Sequence, residues 1–314
     1  MRFVFVMDQV SSVIVDEDTS FALMFEAQER GHRVDHCLVR DVTLDHGRVI
    51  ARVCRAHMQR DPARPITLDG SEEADLADVD AVFVRKDPPF DDEYMWLTLM
   101  LEHVREHTFV VNDPRGLREA NEKLYACLFP GLVPETLVAA DRDRIRAFVR
   151  DVGGEAIIKP VDGHGGEGVF ALRLDDRNFN AIVETVTRGM RRVAMVQRFI
   201  PEVREGDKRI LLLDGELLGA ILRVPKADDV RSNIHVGGRV QAAVIDDADR
   251  RIVEVMRPRL RRDGLFFVGL DVIGGLLTEV NVTSPTGIQQ AARLSGENLP
   301  GRVLEWLEAR LAGG

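Results

Sequence analysis

A lysine at the end of an apolar run, with glycines directly after it, is the first group of residues here that could do chemistry: Ile157-Ile158-Lys159-Pro160, then Asp162-Gly163-His164-Gly165-Gly166-Glu167-Gly168. Glycine lets backbone N–H groups approach phosphate oxygens closely, and lysine adds a mobile positive charge. The order is not that of a P-loop, because the lysine precedes the glycines and no Gly-Lys-Ser/Thr follows. Taken alone, the pattern serves a glycine hairpin with a surface lysine as well as it serves a phosphate clamp.

A second group is Gly269-Leu270-Asp271-Val272-Ile273, a Gly274-Gly275 turn, and Thr278-Glu279-Val280-Asn281-Val282-Thr283. In a hairpin, period two puts Glu279 and Asn281 on one face, where Asp271 on the partner strand can meet them. Such acidic pairs usually sit on a solvated sheet face. Here the flanking Leu270, Val272, Val280 and Val282 border them with apolar walls, and burying uncompensated carboxylates is costly. Three convergent oxygen donors suit Mg²⁺, which completes its octahedron with phosphate and water.

Three arginines, Arg85, Arg209 and Arg223, stand beside apolar residues at predicted strand edges. Arg85 opens Arg85-Lys86-Asp87-Pro88-Pro89-Phe90-Asp91 at a strand end, where doubly wound sheets place ligands, and a guanidinium there suits a substrate carboxylate. Arg223 leads into Val224 to Arg239, a polar stretch read either as a linker or as an active-site lid. His164 and His235 lack ligand spacing, and neither a Gly-x-Ser-x-Gly nor an HExxH motif is present.

The elements that must position these residues follow from periodicity. Phe3 to Met7, Thr19 to Arg30 and Arg33 to Val39 read as strand, helix and strand, and Val42 to Cys54 as a hairpin turning at Asp45-His46-Gly47. With Val79 to Val84, they predict an α/β, doubly wound first region spanning 1–120. Residues 121–200 predict a small lobe of helices and short strands. In 201–314, Asp214-Gly215 and Gly274-Gly275 mark hairpins, so antiparallel strands should dominate there.

The length of 314 residues suggests about two or three substructures. A net charge of −10 argues against a general affinity for nucleic acid or acidic membranes. Cys37, Cys54 and Cys127 show neither metal spacing nor a disulfide framework, which fits reduced thiols in a cytoplasmic protein. The apolar run 2–7 is too short for a signal sequence or a membrane span.

Met7-Asp8, Ser20-Phe21-Ala22, RKDPPFD at 85–91, Asn121-Glu122-Lys123-Leu124, Pro134 to Val138, Lys159-Pro160, Gly206-Asp207-Lys208-Arg209, Gly237-Gly238-Arg239, Val268 to Asp271 and NVTSPT at 281–286 occur in the order found in bacterial glutathione synthetase, which the chain resembles. The lysine, the glycine loop and the Glu-x-Asn element are shared by the wider ATP-grasp group.

The resemblance implies an ATP-grasp fold with an N-terminal doubly wound substrate-binding domain (1–120), a central lobe (121–200) and a C-terminal lobe (201–314) carrying the metal site and a lid at 224–239. It further implies a cytoplasmic homotetramer that joins γ-glutamylcysteine to glycine. Lys123, Lys159, Gly163, Gly165 and Gly166 would contact ATP phosphates, Gln197 to Ile200 would lie beside adenine, and Asp207 near the ribose. Asp271, Glu279 and Asn281 would hold Mg²⁺, or Mn²⁺ in its place. Arg209 and Arg223 would face the reacting carboxylate, and Arg85 and Ser284 the dipeptide.

Two features depart from the family pattern: Gln289-Gln290 stands where an arginine-glutamate pair is common, and the stretch Lys226 to Val236 is short of glycines. A ligase for a related acyl substrate or acceptor, or a non-catalytic ATP-binding regulator, is the alternative. We expect Gln289 and Gln290 to brace the turn at Ser284-Pro285-Thr286, because three arginines already supply positive charge for the dipeptide.

Overall fold

The structure, a computed structural model, describes residues 1–225 and 239–313. The expected lid at 224–239 therefore lies outside the described residues, apart from Val224, Pro225 and Arg239. The described residues form a mixed α/β molecule with three sheets.

The first sheet contains β1 (Arg2–Met7), β2 (Arg33–Cys37), β3 (Val42–Asp45), β4 (Arg48–Met58), β5 (Ile66–Asp75), β6 (Ala81–Arg85) and β7 (Phe109–Val111). Its order is β3-β4-β2-β1-β6-β7, with β5 paired to β4. The strands β2, β1, β6 and β7 run parallel. Buried on both faces, β1 is apolar from Phe3 to Met7. Phe3 and Phe5 pack toward α1 (Thr19–Glu29), while Val4 and Val6 pack toward α2 (Asp92–Leu101). Asp18 and Asp91 cap these helices by accepting from Phe21 N and Tyr94 N. α3 (Pro114–Glu119) follows β7.

The second sheet, β8 (Thr136–Ala139), β9 (Glu155–Pro160), β10 (Phe170–Arg173) and β11 (Ala194–Arg198), is antiparallel in the order β10-β9-β11-β8. Together with α4 (Arg142–Asp151) and α5 (Phe179–Val186) it encloses a separate core built on Ile145, Ile158, Phe179 and Val196.

The third sheet, β12 (Asp207–Leu213), β13 (Glu216–Val224), β14 (Arg239–Ala242), β15 (Phe267–Ile273) and β16 (Leu276–Asn281), is antiparallel throughout. Both of its expected turns have positive φ at two successive residues: 50° and 74° at Asp214-Gly215, and 56° and 74° at Gly274-Gly275. Two-residue hairpin turns of this type require that conformation. α6 (Asp247–Arg262) precedes β15, and α7 (Ile288–Ser295) and α8 (Leu299–Ala312) end the chain.

The first and third sheets share their cores, since Val82, Leu97 and Tyr125 belong to one apolar cluster with Leu260, Val268 and Val280. Asn112, after β7, fastens the two together. Its side chain accepts from Phe267 N at 2.7 Å and donates to Phe267 O and Val282 O, each at 2.9 Å. A buried amide satisfied in this way fixes relative position, because losing a partner leaves unsatisfied polar groups behind.

Candidate active site

A cavity of about 580 Å³ opens where the three sheets meet, and every site residue expected from the sequence lines it. The first sheet contributes its switch point between β1 and β6. There Asp8 Oδ2 accepts from Asp87 N at 2.9 Å and Asp8 Oδ1 lies 3.1 Å from Lys86 Nζ. The second sheet contributes the end of β9 and the glycine turn after it, the third its β12–β15–β16 face.

The glycine turn is built as a cradle. Gly165 and Gly166 have φ of 62° and 85°, and a Cβ on Gly163 would come within 2.6 Å of Pro160 Cγ. Lys123, in the segment between the first two sheets, donates to Gly163 O at 2.5 Å and to Glu279 Oε1 at 2.8 Å. Burial works against the charge of Lys123, but Glu279 and its acidic neighbours outweigh burial and raise its pKa. Burial dominates at Lys159 and lowers its pKa; among the described residues its Nζ donates only to a carbonyl, Thr278 O, at 3.3 Å. Gln197 donates to Thr136 Oγ1 at 3.1 Å across the β11–β8 pair, beside Ile200 in the same wall.

On the third sheet, Asp271 stands directly opposite both Glu279 and Arg209 in register. Arg209 Nε donates to Asp271 Oδ1 at 2.6 Å, and Arg223 NH2 lies 3.0 Å from the same oxygen and 2.5 Å from Asp207 Oδ2. Burial alone would raise the Asp271 pKa, but the two guanidiniums hold it well below the carboxylate range. Burial likewise opposes the charge of Glu279, and Lys123 and Lys159 bring its pKa down. Acids and bases so deep in protein are tolerable only when paired in this way.

Asn281 Nδ2 donates to Gly269 O at 3.1 Å, so its amide oxygen is the atom that can ligate. Two carboxylates and an amide oxygen fit a hard divalent cation that keeps phosphate and water ligands. Among the described residues, no group of three or more His, Cys, Asp or Glu is arranged as a metal cluster.

Arg85 differs from the other two arginines. It is 4% exposed, donates to Ser20 Oγ and Pro285 O at 3.0 Å each, and has no carboxylate ion pair among the described residues. Burial lowers its pKa. Ser284, buried beside it, lies 3.5 Å from Arg85 O.

Two models of prokaryotic glutathione synthetase match, the N-terminal domain over residues 1–118 and the ATP-grasp domain over residues 122–296. The chain belongs to the prokaryotic glutathione synthetase family. Among similar proteins, a glutathione synthetase of Gloeobacter violaceus is 47% identical over 315 residues, covering 98% of this chain and 96% of that protein. One of Vibrio parahaemolyticus is 40% identical, covering 98% of each. A D-cycloserine synthetase has a similar structure, with a TM-score of 0.67 at 16% identity over 97% of this chain and 99% of that one. An ATP-grasp ligase complexed with a precursor peptide and AMPPNP gives 0.62 at 17% over 99% and 98%. These likenesses extend the ATP-grasp fold beyond the glutathione synthetase family.

Several residues around the cavity carried no expected role. Glu122 accepts from Val282 N, Thr283 N and Thr283 Oγ1 at 2.9 to 3.1 Å. Thr19 also lines the cavity. The Asp18 cap was a readable signal for the helix start, but not for the direction in which that helix points. The expected bracing by the glutamine pair divides between its members. Gln289 Nε2 donates to Val15 O at 2.8 Å and Asp18 O at 2.6 Å, so it braces the loop before α1 rather than the 284–286 turn, whereas Gln290 faces the cavity.

Proposed function

We propose that this cavity carries out the ATP-dependent ligation that produces glutathione, joining the cysteinyl carboxylate of γ-glutamylcysteine to the amine of glycine. The observation that carries the reading is the convergence on one cavity of two lysines beside a glycine cradle, two arginines held by buried acids, and Arg85, which has no carboxylate ion pair among the described residues.

A carboxylate and an amine do not condense unaided near neutral pH. A carboxylate oxygen of the dipeptide attacks the γ-phosphorus of ATP, the bond to the ADP oxygen breaks, and an acyl phosphate forms. Lys123 and Lys159 hold the phosphates, while Gly163, Gly165 and Gly166 offer backbone donors. Asp271 and Asp207 orient Arg209 and Arg223 toward the charge that develops on the carboxylate and the transferring phosphoryl group. Gln197 and Ile200 border adenine, with Asp207 toward the ribose. Glycine's amine then attacks the acyl carbon, inorganic phosphate leaves, and the amine gives up a proton. Asp271, Glu279 and Asn281 would hold a divalent metal, Mg²⁺ or Mn²⁺ in its place, which neutralises phosphate charge when bound. Arg85 and Ser284 receive the dipeptide.

The same reading assigns residues 1–120 to substrate binding, 121–200 to the central ATP-grasp lobe and 201–314 to the C-terminal lobe, in a cytoplasmic homotetramer. No helix among the described residues is long and apolar enough to cross a membrane. The test is ADP release with γ-glutamylcysteine, with and without glycine, followed by competition among acceptors and γ-glutamyl donors. Release that depends on both substrates and prefers glycine is expected. Preference for another acceptor or donor would overturn the assignment.

A further inference from the structure

At the corner of the cavity where α1 and α7 meet, Thr19 Oγ1 and Gln290 Oε1 are buried and have no hydrogen-bond partner among the described residues. Thr19 is 1% exposed and Gln290 7%. Buried polar groups in native proteins are nearly always matched, so each of these calls for a ligand atom.

Their neighbourhood says which atoms. Thr19 is the first residue of α1, whose N-terminus carries partial positive charge. The next residue, Ser20, accepts from Arg85 Nε at 3.0 Å. α7 packs against α1, and Gln289 is tied to Asp18 O at 2.6 Å, which puts Gln290 beside that helix start. One side of this corner, Arg85 with the α1 terminus and the Thr19 hydroxyl, asks for an anion. The other side, the Gln290 carbonyl oxygen, can only accept and so asks for a donor.

We propose that Thr19, Arg85 and Gln290 form a subsite for the free α-amino acid head of the dipeptide's γ-glutamyl residue, with Gln290 as the residue that selects for its α-ammonium. An α-amino acid carries an anion and a strong donor on a single carbon, which is the pairing this corner presents. In the reaction proposed above, on which this inference rests, the cysteinyl carboxylate reacts beside Arg209 and Arg223, so the γ-glutamyl head is the end left to be recognised. A neutral amide supplies the acceptor oxygen without adding another buried negative charge next to Asp18, whose carboxylate is already engaged by Phe21 N at 2.7 Å.

The experiment compares kcat/KM for γ-glutamylcysteine with that for glutarylcysteine, the same dipeptide lacking only the α-amino group, with ATP and glycine saturating. The wild type should prefer the amino compound, and Gln290→Leu should lose about ten- to a hundredfold of that preference, the value of a hydrogen bond to a charged donor. The loss should appear in KM for the dipeptide, with KM for ATP unmoved. Gln290→Glu, which keeps an oxygen acceptor of the same reach, should retain the preference. Equal losses on both substrates in Gln290→Leu, or a preference lost as fully in Gln290→Glu as in Gln290→Leu, would overturn the subsite. Failure of the wild type to release ADP with γ-glutamylcysteine and glycine would instead overturn the reaction itself.

Discussion

The ammonium of Lys123 and the carboxylate of Glu279 meet at 2.8 Å with side chains 6% and 22% exposed, so neither charge can be removed without leaving the other poorly compensated. Glu279→Gln should therefore lower turnover by about a hundredfold or more, comparable to the loss of one preorganised electrostatic contact, and should shift the divalent-metal dependence of kcat. Unchanged kinetics across a Mg²⁺ titration would remove Glu279 from the site. Lys159 makes a different prediction. Burial places its pKa below the ordinary 10.5, and bound phosphates would raise it again. ATP binding should then take up protons in the alkaline range below 10.5, and affinity should fall as pH rises through the depressed pKa. Calorimetry in buffers of different ionisation heat, at about pH 9 where ATP is fully ionised, reads the uptake directly. It should vanish in Lys159→Arg, because arginine stays protonated there. Uptake that persists in the arginine variant would assign the proton elsewhere.

At the scale of elements, turn chemistry and burial decided which ones could be read in advance. Asp214-Gly215 and Gly274-Gly275 announced their hairpins because left-handed backbone at two successive positions suits few residue types. β5 gave no such signal. From Leu68 to Glu73 its residues are mostly exposed, so Ile-Thr-Leu-Asp-Gly-Ser-Glu-Glu-Ala-Asp lacks apolar alternation, and its pairing to β4 is visible only in three dimensions. α3 supplies a test of how the elements fit. A Cβ on Gly116 would lie 2.1 Å from Asp263 O, a backbone atom that cannot rotate away. Alanine gains about 1 kcal/mol of helix propensity, but overpacking costs about 1–3 kcal/mol. Gly116→Ala should therefore lower Tm, and a raised Tm would show that α3 can shift away from the 263 loop.

Across the whole molecule, the first and third sheets share a core and are pinned by Asn112, whereas the second sheet closes around a core of its own. Separate cores predict that the central lobe moves as a unit against the other two sheets, with the cavity between them. Scattering measurements should show a smaller radius of gyration with a non-hydrolysable ATP analogue and divalent metal than without, and an unchanged radius would mean that the lobe is fixed. The sequence by itself determined the chemical types, the strands and turns that carry them, and the family. Those features depend on neighbours a few residues apart and on motif order, as in Glu279-Val280-Asn281 or the glycines after Lys159. Only the tertiary structure decided that Arg209 and Arg223 converge on Asp271, that Arg85 meets Ser20 and the Pro285 carbonyl and no carboxylate among the described residues, and that Gln290 rather than Gln289 faces the cavity. Asp271 lies 62 residues from Arg209, and Arg85 is 200 residues from the Pro285 carbonyl it meets, so their pairing is set by how the sheets pack. Packing also dictates whether a buried polar atom finds its partner in the protein or must wait for a ligand, since that depends on which walls the fold brings together.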